Sequence, residues 1–135
     1  MKLLEIKPLN EMTYSDLMDM EKALYKLAAT HMGIKYETRG HLKDRVVDDG
    51  REGDVEPEEV LDVFRKLFGN PKKKGKILGL RQKGEEREFV VKDLSKDLNI
   101  TFKIDFSRKP NIFAIVTIMR KKNFKPKPYD IVYHV

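Results

Sequence analysis

The hydrophobic period changes once along this chain, and that change restricts the fold more than any other feature. Up to Phe68 the apolar residues recur at three- and four-residue spacing; beyond the lysine run Lys72 to Lys76 they recur at two. Helices first and strands afterwards imply an α+β domain, with the helices packed on one face of a sheet. At 135 residues the chain has the usual size of one domain. The expected division is a flexible N-terminal arm, residues 1–12, followed by a single domain over 13–135.

Leu17, Met20, Leu24, Leu27 and Ala28 share one helical face, with Thr13 or Ser15 available as N-cap and Gly33 placed to stop the run. The spacing predicts a helix over 14–31. A short extended piece, Ile34 to Thr38, leads into His41 to Val47, long enough for two helical turns. Asp48 to Asp54, with two glycines and several acids, reads as a surface loop. The next helix carries the fullest set of signals. Pro57 takes its first position, Glu58 and Glu59 face the positive end of its dipole, and Val60, Leu61, Phe64, Leu67 and Phe68 form its apolar face before Gly69-Asn70-Pro71 ends it.

Period two then predicts strands at Lys76 to Gln82, Arg87 to Leu94, Leu98 to Phe106 and Asn111 to Lys121, with a last one at Tyr129 to Val135. Ile100, Phe102, Ile104 and Phe106 alternate with Thr101, Lys103 and Asp105, so that strand has one wet face. Short connections favour an antiparallel meander. The fold expected is therefore α+β, N-terminal helices on a four- to five-stranded antiparallel sheet.

Charge is distributed unevenly. Thr101 to Val135 holds eight Lys/Arg against two acids, Asp105 and Asp130, and the remainder is balanced, so the whole net charge of +6 sits in the last quarter. A neutral body with a basic, strand-rich end suits a phosphate-binding surface, because each neutralised phosphate releases counterions. Cysteine is absent, which removes disulfides, thiolate nucleophiles and Cys-based zinc sites. The three histidines, His31, His41 and His134, lack ligand spacing on one element, and no metal site or cofactor is expected. The stretch from Met1 to Asn10, broken by Glu5 and Pro8, is too short for a signal-peptide core or a membrane span. A cytosolic protein without a membrane partner is expected.

What remains suits phosphodiester chemistry. Cleaving RNA through its own 2'-hydroxyl needs a proton acceptor, a proton donor and fixed positive charge at the phosphate, without a metal. His41 and Arg45 would share one face of a helical turn, with Arg51 in the following loop. On the penultimate strand Thr117, Met119 and Lys121 would share one face, and Val116, Ile118 and Arg120 the other.

The run Thr38-Arg39-Gly40-His41-Leu42-Lys43-Asp44-Arg45-Val46, Arg51, the Val-Glu-Pro-Glu-Glu-Val helix start, Val91-Lys92-Asp93 with Leu98-Asn99-Ile100, and Thr117-Ile118-Met119-Arg120-Lys121-Lys122-Asn123-Phe124 together resemble a family of small tailed-bacteriophage proteins. That family is similar in turn to the barnase, colicin and RelE-like ribonuclease toxin superfamily. The resemblance covers about residue 14 to the end. It implies N-terminal helices against an antiparallel sheet, and active-site positions at His41, Arg45, Arg51, Thr117 and Lys121 or Lys122. Tyr133-His134-Val135 also resembles the Tyr-His ends of some RelE-like toxins.

The expected function is a phage-derived RNA-binding or RNA-cleaving domain acting as a metal-independent endoribonuclease. His41 would act as base or acid with His134 as a second proton-transfer group, Thr117 would position the phosphate, and Arg45, Arg51, Arg120, Lys121, Lys122, Lys125 and Lys127 would hold the nucleic acid. The alternative is a noncatalytic virion or assembly protein that uses the same basic segment to grip nucleic acid or an acidic partner. RNA, the ribosome or phage structural proteins would be the partners, in the host cytoplasm or on the virion.

Overall fold

The computed structural model describes residues 13–38, 42, 55–128 and 130–135. The expected arm at 1–12, most of the helical stretch 41–47 and the loop 48–54 lie outside the described residues.

Helix α1 spans Tyr14–Met32. Thr13 and Asp16 cap it reciprocally: the Asp16 N–H donates to Thr13 Oγ1 and the Thr13 N–H to Asp16 Oδ2, each at 3.1 Å. Gly33 ends it at φ 65°, a left-handed conformation that glycine adopts without a Cβ penalty, and its N–H reaches the Ala28 and Ala29 carbonyls. Strand β1 follows at Lys35–Tyr36. Helix α2, Pro57–Gly69, starts at its proline, and the Glu59 carboxylate accepts from the Glu56 N–H at 3.1 Å.

The segment expected as a first strand, Lys76 to Gln82, is helical. Asn70 Oδ1 accepts from the Lys72 and Lys73 N–H groups and Pro71 supplies the first residue, so the lysine run opens helix α3, Pro71–Gly79, continued by a 3₁₀ turn at Leu80–Lys83. The apolar run Ile77-Leu78-Gly79-Leu80 is too short for its period to separate helix from strand. A capping side chain immediately upstream decides it.

Four further strands complete the sheet: β2, Glu86–Asp93; β3, Leu98–Asp105; β4, Ile112–Arg120; and β5, Ile131–His134. The order is β1-β4-β3-β2-β5. β2, β3 and β4 form the expected antiparallel meander, but β1 joins β4 and β5 joins β2 in parallel, so the sheet is mixed, not antiparallel. For β5 the reason is the long link 121–130. A short turn would have returned the chain beside β4, whereas this link carries it past β3 and β2, and a strand that arrives by crossover runs parallel.

Helices α1 and α2 cover one face. Phe64 and Phe68 of α2 meet Phe102 and Phe113 with centroids 5.1 to 6.4 Å apart, and Phe89 stacks on Phe102 at 5.1 Å. All five rings are fully buried. A β-bulge in β4 makes this packing possible: Phe102 faces Ile115 while Thr101 faces Thr117, so Val116 is the extra residue. Phe113 and Ile115 below the bulge and Ile118 above it therefore all reach the core. The result is a small α+β domain with helices on one face of a five-stranded mixed sheet. Among the described residues no helix is long and apolar enough to cross a membrane.

Candidate nucleic acid interface

Strand pairing assigns each late residue to a face, because paired residues point to the same side. Arg120 pairs with Leu98, a core residue, and points toward the helices. Its guanidinium donates to Glu59 and to the Lys96 carbonyl, both at 2.6 Å. Burial pushes the Glu59 carboxyl up, but the Arg120 hydrogen bond, the Glu56 N–H and the charges of Arg120 and Lys96 outweigh it and hold this group below the usual carboxylate range. Among the described residues expected to bind phosphate, Arg120 is thus joined to α2.

That ion pair makes a pH prediction. A carboxyl whose folded pKa is depressed contributes stability that is complete above its unfolded pKa and is lost as pH falls through the folded one. Glu59→Gln is expected to lower unfolding stability at neutral pH by about 1 to 2 kcal/mol. The deficit should shrink as denaturant midpoints are followed from neutral pH into and below the carboxylate range. A deficit constant with pH would remove the Glu59 charge from the account.

The opposite face carries the other candidates. Met119, Asn99, Lys92 and His134 form one cross-strand row, and Thr117, Thr101, Val90 and Val132 the next. Thr117 and His134 therefore share this face but stand three strand spacings apart, roughly 14 Å. His134 is exposed and Thr117 half-buried. His41, Arg45 and Arg51 lie outside the described residues.

The link 121–130 crosses this same face: the Lys92 ammonium donates to the Phe124 carbonyl at 2.7 Å. Lys121, Lys122, Lys125 and Lys127 are exposed along it. At the neighbouring edge the Lys73 ammonium donates to the His134 carbonyl, and the Val135 N–H to the Lys92 carbonyl at 2.9 Å. These contacts bring helix α3 beside the end of β5. The lysine run of α3, which counts toward the balanced part of the sequence, thereby joins the basic C-terminal segment in space.

Compensation is uneven across the molecule. Lys66, Lys96, Lys103, Arg65, Arg87, Arg108 and Arg120 are within 4 Å of carboxylates. Among the described residues, no salt bridge is formed by Lys72, Lys73, Lys74 or Lys76 of α3, nor by Lys92, Lys121, Lys122 or Lys125. Lysines in the first turn of α3 also oppose its dipole, so they do not serve the helix. At the other end of β2 acids predominate, with Glu85, Glu86, Glu88 and Asp130 around one hollow that Arg87 also lines; Arg87 pairs with Glu85 and Lys103 with Glu86. This face is thus polarised along its strands, cationic where β2 and β5 end, while Val90, Asn99 and Ala114 in its middle are buried.

Reading by residue missed Lys92 and the α3 lysines as members of this surface. The period-two run Val91-Lys92-Asp93 was a usable signal for Lys92; no local pattern reports the contact of α3 with β5. Compared with known proteins, the chain matches no family model, no curated protein and no solved structure.

Proposed function

We propose that this protein binds nucleic acid, RNA in the first instance, through the cationic end of its sheet. The observation that carries the reading is the convergence of two lysine sets, on α3 and on 121–125, around Lys92, with no salt bridge to a carboxylate among the described residues. Uncompensated charge raises the folded state's self-repulsion, and a polyanion relieves it while releasing counterions. Resemblance of the His-x-x-x-Arg-Val and Thr-x-Met-x-Lys-Lys segments to tailed-phage relatives of ribonuclease toxins gives RNA preference over other polyanions. The test is anisotropy of a labelled RNA titrated at increasing salt. Binding should weaken steeply between 50 and 200 mM, and affinity independent of salt in this range would overturn the reading.

A second reading, cleavage, is favoured by one observation: the imidazole of His134 is exposed on the same cationic surface, next to Lys92 in the strand pairing. It would transfer a proton at the 2'-hydroxyl or the leaving oxygen, with His41 as its counterpart and Lys92 and the neighbouring lysines holding the phosphate; Thr117, three strand spacings away, does not reach that phosphate. Incubation with RNA in chelator should give cleavage that falls at least about a hundredfold in His134→Ala and in His41→Ala. Binding without cleavage by the unaltered protein would leave a noncatalytic nucleic-acid-binding domain, the form a virion or assembly protein would take.

A further inference from the structure

Asn99 lies on the sheet face away from the helices, in the cross-strand row between Met119 and Lys92, and it is buried, 4% exposed. A buried amide needs an acceptor for each of its hydrogens. Asn99 Nδ2 donates to the Lys121 carbonyl at 2.9 Å and to the Asp97 carbonyl at 3.2 Å, with the Met119 carbonyl a more distant third acceptor at 3.4 Å. Asp97 in turn accepts the Lys121 N–H at 2.9 Å. Both main-chain groups of Lys121 are thereby held, the N–H by the turn between β2 and β3 and the carbonyl by Asn99.

This is the point where the chain leaves the sheet, since β4 ends at Arg120. Asn99 supplies the donor that a neighbouring strand would have given. Lys122 and Asn123 then form a tight turn, with Asn123 at φ 58°, a left-handed conformation that asparagine tolerates. Lys92, beside Asn99 in the same row, ties the far side of this turn by donating to the Phe124 carbonyl at 2.7 Å. An ammonium has three hydrogens, so Lys92 keeps two for a further acceptor. Lys121 and Lys122 are exposed between the two ties.

We propose that Asn99 is a positioning residue of the cationic surface: it fixes the turn 121–124 through the Lys121 carbonyl, so that Lys121 and Lys122 stand in place before nucleic acid arrives. The role rests on the nucleic acid reading above and adds to it a residue that itself touches no phosphate. Its physical basis is the cost of ordering. A lysine on a loose link gives up backbone and side-chain freedom on binding, whereas one on a turn tied at both sides has already given up the backbone part. Asn99 carries no charge, so a charge pattern does not report it.

The test is a mutant cycle read by RNA anisotropy at fixed salt. Asn99→Ala is expected to weaken binding about tenfold in the unaltered chain, and by the same factor in a chain carrying Lys72→Gln and Lys76→Gln on α3. In a chain carrying Lys121→Gln and Lys122→Gln the same exchange should change affinity by less than about twofold, since the groups that Asn99 positions are gone. Equal factors in all three backgrounds would show that Asn99 acts through the stability of the whole domain, and would overturn the proposal. Asn99→Leu, of similar shape without the donor, is run beside Asn99→Ala, and melting curves select the variant that keeps the fold. A measurement that needs no variant is made on the free protein. Backbone order parameters at Lys121 to Phe124 should match those of β3 and β4, about 0.85, and values under about 0.6 overturn the proposal. RNA bound by the unaltered chain with equal factors sinks this role alone; no salt-sensitive binding by that chain sinks the nucleic acid reading and the role together.

Discussion

Exchanging Lys72, Lys73, Lys121 and Lys122 together for glutamine is expected to weaken RNA binding by about a thousandfold at 0.15 M salt, and to flatten the dependence of log affinity on log salt by about three to four units. The size follows from counting phosphates: each contact removed returns one set of condensed counterions, and four contacts are taken from two elements that meet at β5. Lys72 and Lys73 lie on α3, Lys121 and Lys122 at the start of the link, and only the docking of β5 through Lys73 and of the link through Lys92 makes them one surface. Glutamine keeps polarity, and the amide introduced by Lys73→Gln can still donate toward the His134 carbonyl, so melting temperature should move little. Lys72→Gln with Lys121→Gln and Lys122→Gln, which leaves Lys73 in place, separates lost phosphate contacts from lost docking. A control exchange of Lys66 and Arg65, which sit by Asp62 and Glu58, should leave affinity within about threefold. Loss of affinity in the control as large as in the fourfold variant would mean that net charge alone, without a located surface, governs binding.

Truncating Phe64 to alanine should cost about 3 to 5 kcal/mol, a large share of the 5 to 15 kcal/mol that holds an ordinary domain together. Phe64 is fully buried and its ring meets Phe68, Phe102 and Phe113 at 5.4, 5.3 and 5.1 Å, joining α2 to two central strands. Its three ring neighbours are held in the same cluster, which limits how far they can move into the space. For a chain of this length the melting temperature should fall by about 10 to 15 °C, read by calorimetry or circular dichroism. Phe64→Leu, which keeps most of the volume, should recover more than half of the loss. A fall below about 3 °C for the alanine variant would show that the cluster collapses around the gap.

Local chemistry was legible in the sequence wherever one residue type decides one geometry. Thr13 or Ser15 as N-cap with Gly33 as stop, and Pro57 with Gly69-Asn70-Pro71, placed the two long helices within a residue of their ends. Strict alternation located β3, and the short turns on either side of it paired it correctly with β2 and β4. Two features were not legible. Asn70 as a cap turned an apolar run with an apparent period of two into α3, because four residues cannot display a helical repeat. The parallel edges depend on which distant strand receives β1 and β5: β1 lies beside Phe113 and β5 beside Phe89, and although the length of the link 121–130 permits a crossover, no local pattern at Lys35 or Ile131 names the strand that receives it. The bulge at Val116 belongs to the same class: its cause lies in the core that Phe113, Ile115 and Ile118 must fill together.

Parallel docking of β5 on β2 ties two properties of the molecule to one event. The strand joins Ile131 to Phe89, forty-odd positions upstream, and holds α3 through His134. Were this edge to come away, the lysines of α3 would separate from those of the link, and a polyanion bound as proposed would lose half of its contacts. Occupancy by a polyanion would therefore act as a clasp on the last strand, slowing exchange of its amide hydrogens in proportion to the affinity gained.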